Sequence, residues 1–119
     1  DGSRAPFDQL AEIVDAVGDK AEIVLDGGIQ RGSDVIKAVA IGAKAVAVGK
    51  LQGWGLAANG SEGVYRVLEI LEDEIKVGMG LLGVTNMTQL NKSFICSADP
   101  TTSPHEMSSW VNMPVNRIT

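Results

Sequence analysis

Two apolar segments, each ending in glycine and a cation and each leading into a helix, constrain this chain more than any other feature. The first runs Val24-Leu25-Asp26-Gly27-Gly28-Ile29-Gln30-Arg31 and opens a helix at Ser33-Asp34-Val35. The second is Ala45-Val46-Ala47-Val48, ending in Gly49-Lys50. Short, nearly continuous apolar runs read as parallel strands covered on both faces. Glycine lets backbone approach a ligand closely, and a helix N-terminus favours an anion. Arginine grips phosphate bidentately, while lysine acts as a point charge. The two segments together predict a phosphate cradle at the C-terminal ends of adjacent parallel strands, with Arg31 and Lys50 as its cations. The local pattern alone also allows a tight turn at Gly27-Gly28, a capping role for Asp26 and two solvated charges.

In a (β/α)8 barrel the phosphate site follows the last two strands. The expected fold class is therefore α/β, the C-terminal part of a (β/α)8 TIM barrel. It comprises the last two parallel strands, flanking helices and an irregular tail. A full barrel takes about 250 residues, whereas this chain has 119. It starts at Asp1, directly in a loop, and is expected to be a piece of a longer protein.

Hydrophobic spacing places the elements. Pro6 suits the first turn of a helix, and Phe7, Leu10, Ile13, Val14 and Val17 follow at helical intervals until Gly18. Strands are expected over residues 21–25 and 45–48. Ser33 is expected to cap the helix between them, with Asp34 near its positive end. Val35, Ile36, Val39 and Ala40 form that helix's inward stripe, and Gly42 ends it. A short extra helix is expected over residues 51–58. Asn59 to Glu62 resembles a capping box ahead of a long amphipathic helix marked by Val64, Val67, Leu68, Leu71, Ile75 and Leu82. Gly78, Gly80 and Gly83 weaken or end it. Thr85 is expected to cap a last short helix through Leu90. Residues 1–90 thus form the barrel part. Residues 91–119, with three prolines, form the tail, pinned to a neighbouring surface by Trp110, Val111 and Met113.

Composition narrows the function. The net charge is −5 without a Lys/Arg block, so the basic stripe of a nucleic-acid surface is lacking. Aromatics make up 4%, too few for base stacking. No apolar run reaches the roughly 18 residues of a transmembrane helix. Cys96, the only cysteine, rules out an internal disulfide and a zinc cluster, and fits a reducing, cytoplasmic compartment. His105, the only histidine, reads as a surface residue of the tail. Glu69, Glu72, Asp73 and Glu74 read as a solvated helix face, and Trp54 and Trp110 as packing residues.

The run from Asp26 to Val35, with Lys37-Ala38, Gly42-Ala43-Lys44-Ala45-Val46 and Gly49-Lys50, closely resembles the FMN-dependent α-hydroxy-acid oxidases and dehydrogenases. That family includes glycolate oxidase, lactate oxidase, and lactate and mandelate dehydrogenases. Gly55-Leu56-Ala57-Ala58-Asn59-Gly60, Gly63-Val64, Leu68-Glu69-Ile70-Leu71 and Met79-Gly80-Leu81-Leu82-Gly83 are similar to the family's segment after the last barrel strand. The likeness extends over residues 1–90.

This resemblance implies FMN as cofactor, a small 2-hydroxy acid as substrate, a 2-keto acid as product and a homo-oligomer. In the family a histidine takes the hydroxyl proton while hydride passes to the flavin, and arginines hold the substrate carboxylate. Carried over by position, Asp26, the Gly27-Gly28 pair, Gln30 and Arg31 line the ribityl and phosphate region. Gly49 and Lys50 complete the phosphate site. Gln30 stands where the family has the first of two basic residues, and Lys50 where it has arginine. Both changes weaken the grip on phosphate unless partners elsewhere compensate. The family's His-Gly-Gly-Arg-Gln-type motif falls just before the stretch resembling Asp1 to Pro6. Arg4 and His105 match neither of its functional residues, so no catalytic residue and no metal ligand is assigned. The isolated chain is expected to be inactive without the missing N-terminal barrel segment. Two alternatives accompany this reading: a non-catalytic or incomplete fragment, and a different phosphate-binding barrel such as an IMP dehydrogenase-like enzyme.

Overall fold

The structure, a computed structural model, describes residues 4–97. Helix α1 (Pro6–Val17) leads to strand β1 (Val24–Asp26), helix α2 (Gly32–Ile41), strand β2 (Ala45–Ala47) and helix α3 (Lys50–Leu82). Two 3₁₀ turns follow, Met87–Gln89 and Lys92–Phe94. The strands pair in parallel, with Val24 beside Ala45, Leu25 beside Val46 and Asp26 beside Ala47. Their C-terminal ends therefore lie side by side, and α2 makes the crossover.

Both strands are shorter than their apolar runs. The first starts late because α1 unwinds through a turn, in which the Lys20 and Ala21 N–H groups both donate to the Val17 carbonyl. Val48 falls after β2, next to the start of α3. One further backbone bond, from Lys44 N–H to the Ile23 carbonyl, joins the strand entries.

Two apolar clusters hold the elements together. Leu10, only 1% exposed, packs with Leu25, Ile29, Val35, Ala38 and Ala43 between α1, the sheet and α2. Ile36, Ala40, Val84 and Leu90 form the second, on the other side of α2. Helix α2 is thus buried along two faces, more than the single inward stripe suggested. The second cluster recruits Phe94 and Ile95, so packed structure continues past residue 90, where the sequence pattern placed the start of the tail. The expected roles of Trp110, Val111, Met113 and His105 fall outside the described residues.

Helix α3 carries non-helical backbone at Asn59 and Gly60. That break divides α3 into a short arm before Asn59 and a long arm after Gly60, two helices meeting at a kink as the sequence pattern predicts. The bend presses Gly55 of the first arm against Gly63 and Val67 of the second. The second arm runs along α2, and Gly78 lies directly under Ile36 there. That glycine reads locally as a weak point, yet it is a contact surface between helices. Gly83 ends α3 in a left-handed conformation, as expected.

Caps differ from the sequence expectation in two places. Ser33 lies inside α2, whose N-cap is Arg31. Near the C-terminal end Asn86, rather than Thr85, caps the first 3₁₀ turn by accepting from Thr88 N–H at 2.9 Å. Gln89 reaches back to the N–H groups of Thr85 and Asn86 at 2.7 and 3.0 Å. Asn86 does what a hydroxyl at Thr85 was expected to do, and Gln89, three residues after it, completes the capping box.

Candidate phosphate cleft

The parallel register brings the two glycine-ended strands together. Past Asp26 the chain turns through Gly27 (φ 115°) and Gly28 (φ 80°), a pair of left-handed conformations that side-chain-bearing residues rarely adopt. Ile29 then drops into the core and fixes the far side of the loop. Asp26, Gly27, Gly28, Ile29, Gln30, Ala47, Gly49 and Lys50 line a cleft of about 260 Å³. All the residues singled out from the sequence meet there except Arg31. Ile29 and Ala47 were not singled out; their signal is position alone, one inside the Gly-Gly loop and the other at the strand end.

The cleft is shaped for a group that approaches backbone closely. A Cβ built on Gly28 or Gly49 would meet nothing within 4 Å. Lys50 is the first residue of α3, so its ammonium and the first-turn N–H groups, which lack intrahelical acceptors, mark the same end of the helix. Lys50 makes no ion pair among the described residues.

The N-terminus of α2 is arranged differently. The Asp34 carboxylate accepts the Gln30 and Arg31 N–H groups at 3.1 and 3.0 Å. Glu74, on α3, accepts the Gly32 N–H at 2.7 Å. The Arg31 Nε–H donates to both Glu74 oxygens, at 2.8 and 3.1 Å. Three successive backbone N–H groups are therefore satisfied by the chain's own carboxylates, which also complement the helix dipole. The expected anion cradle at the start of α2 is filled from within, and α3 is the helix whose start faces the cleft. Arg31 is drawn to a separate depression shared with Ser33, Asp73, Glu74, Val77, Gly78 and Leu81. The physical reason is the nearby carboxylate, which competes directly for the guanidinium.

Glu74 is thus not part of a solvated face: its side chain is 26% exposed. The hydrogen bond from Arg31, followed by that from Gly32, holds its carboxyl below the ordinary carboxylate range. Arg31 is raised in turn, first by the same hydrogen bond. A lowered folded-state value stabilises the protein above the unfolded value, and that stabilisation is lost as pH falls through the folded value. Urea midpoints measured across the acid range should therefore fall more steeply for the unaltered protein than for Glu74→Gln. Equal slopes would show that Glu74 does not contribute. Glu72, by contrast, sits on the exposed face as expected and pairs with Lys76 at 2.6 Å.

Trp54 lines a shallow depression at the bend of α3 with Gly55, Asn59 and Arg66. Cys96 is exposed. Among the described residues no three His, Cys, Asp or Glu side chains are grouped to hold a metal ion. No described helix is long and apolar enough to cross a membrane.

Comparison with known proteins adds to this geometry. Residues 1–97 match the family described as FMN-dependent dehydrogenase. The chain is 50% identical over 95 residues to an L-lactate oxidase of Nostoc sp., covering 80% of this chain and 26% of that protein. The same figures hold for 2-hydroxyacid oxidase 1 of Homo sapiens. Among solved structures, a flavocytochrome b2 variant with benzoylformate superimposes with a TM-score of 0.73 at 43% identity, over 78% of this chain and 25% of that one. An (S)-mandelate dehydrogenase variant gives 0.71 at 37% identity, over 75% and 25%. The chain therefore spans about a quarter of the length of the curated relatives it matches.

Proposed function

The chain belongs to the FMN-dependent dehydrogenase family, and on that premise we propose that it builds the flavin-phosphate end of an enzyme that oxidises a small 2-hydroxy acid to the 2-keto acid. The family's cofactor is FMN. The observation that carries the reading is the cleft at the paired strand ends. Two glycines there leave open the space their side chains would fill, beside a lysine with no ion pair among the described residues and the start of a helix. Those residues fit a phosphate: close backbone, one positive charge and first-turn N–H donors.

Lys50 supplies the charge, and Gly28 and Gly49 let the phosphate reach the main chain. Gln30 offers amide donors without charge. Asp26 ends β1 at the cleft rim, where its carboxylate can accept hydroxyl hydrogen bonds from the ribityl chain. FMN, when bound, supplies the acceptor for the hydride that leaves the substrate. The relatives named as oxidases of lactate and of 2-hydroxyacids support the substrate class. The groups that handle the substrate lie on other barrel strands in this reading. The apolar Val24, 60% exposed on a three-residue strand, is where further barrel packing would cover the sheet. The homo-oligomer suggested by the resemblance belongs to that complete protein.

The test is flavin titration of the complete protein, followed by fluorescence quenching. FMN should bind more tightly than riboflavin, which lacks the phosphate. Lys50→Gln should weaken FMN binding about tenfold, corresponding to the loss of one charge-assisted contact, and leave riboflavin binding unchanged. Equal affinity for FMN and riboflavin would remove the phosphate role. Preference for a purine nucleotide would favour the IMP dehydrogenase-like alternative.

A further inference from the structure

We infer that Arg31 and Glu74 form a positioning clamp that sets the shape of the Gly27–Gln30 loop, and that Arg31 is not a phosphate ligand. The inference rests on the flavin reading of the cleft. The phosphate role expected of Arg31 needs its guanidinium in the cleft. Its Nε instead donates to both oxygens of Glu74, 43 residues away in sequence. The same carboxylate takes the Gly32 N–H. Asp34 holds the two preceding N–H groups, of Gln30 and Arg31.

The loop is thus fastened from two directions. Asp34 ties it to the first turn of its own helix, and Glu74 ties that turn to α3, whose N-terminal arm begins at Lys50 in the cleft. Lys50 starts the arm before the kink and Glu74 lies on the arm after it, and the two arms touch where Gly55 meets Gly63 and Val67. The clamp therefore fixes the loop against the arm on which the cation-bearing arm packs. A loop containing two positive-φ glycines needs such external restraint, because glycine itself restrains little. Lys37, paired with Asp34 at 3.5 Å, and Asp73, beside Glu74 on α3, are the other charged groups facing the clamp.

A double-mutant cycle on the complete protein decides between positioning and direct contact. With a clamp, Arg31→Gln and Glu74→Gln each lower FMN affinity about tenfold, and the double variant is no weaker than either single variant. The salt dependence of FMN binding stays that of the unaltered protein, because no charge has left the phosphate. Amide hydrogen exchange of residues 28–31 without flavin quickens in both single variants. Direct contact predicts the opposite: Arg31→Gln alone loses affinity and salt dependence, while Glu74→Gln frees the arginine and binds FMN as well or better. That pattern, or unchanged exchange in the loop, overturns the clamp. If the unaltered protein binds no flavin, the flavin reading fails, and the exchange rates still decide whether the clamp holds the loop.

Discussion

Gly32→Ala is expected to destabilise the protein by about 2 kcal/mol, whereas Gly80→Ala should stabilise it by up to about 1 kcal/mol. Local propensity ranks alanine above glycine within a helix, and both positions lie in helices. The difference is the neighbour. A Cβ on Gly32 would lie 2.5 Å from Glu74 Cβ, 2.6 Å from Ile75 N and 2.7 Å from the Glu74 carbonyl carbon. Two of those atoms are backbone, so relief requires α2 and α3 to separate. Separation stretches the Gly32 to Glu74 hydrogen bond and loosens the adjoining apolar clusters. Overpacking of this kind costs roughly 1–3 kcal/mol, and a propensity gain of at most about 1 kcal/mol offsets only part of it. On Gly80 a Cβ meets nothing within 4 Å, so the propensity gain is unopposed. Urea unfolding of the two variants checks the pair. A rise in midpoint for Gly32→Ala would refute the close approach of α2 to α3.

Gly28→Val should abolish most flavin binding, with a loss in FMN affinity of about a hundredfold. Two effects act together. At φ 80° a β-branched residue is strained, by roughly 1–3 kcal/mol. Its side chain would also enter the cleft space that Gly28 leaves open. Gly49→Ala separates the two. Its φ of −106° suits any residue, yet its Cβ also points into open space at the cleft. That variant should keep the unfolding midpoint of the unaltered protein while FMN binding falls about tenfold. Unchanged FMN affinity in both variants would mean that the cleft does not hold the cofactor.

Much of this was legible in the sequence. The apolar runs ending at Asp26 and Val48 gave parallel strands, and the intervening helical stripe gave the crossover. Covalent continuity then placed Gly27-Gly28 beside Gly49-Lys50, because two parallel strands joined by one helix end on the same side. Asn59 and Gly60 marked the break in α3, because asparagine favours an N-cap and glycine is a poor helix former. These features are local: each depends on residues a few positions apart, so spacing reveals them.

What spacing could not reveal was decided by contacts between distant segments. Arg31 and Gln30 are neighbours, and sequence alone treated them as two members of one phosphate motif. Tertiary packing sent them apart, because a carboxylate on the next helix captures the guanidinium. Ser33 was the expected cap by type. Asp34 and Glu74 met the N–H groups first, one by reaching back and one by crossing from α3. Gly78 weakens the helix by propensity, yet the side chain it lacks makes room for Ile36. The sequence by itself determined the elements, their order and the meeting of the two glycine-ended strands. The tertiary structure alone decided which helix N-terminus stays open at the cleft and which of the two strand-end cations, Arg31 or Lys50, is taken into an ion pair. Charges and unsatisfied N–H groups take whichever partner the fold brings within hydrogen-bonding distance, and that distance is not written in sequence separation.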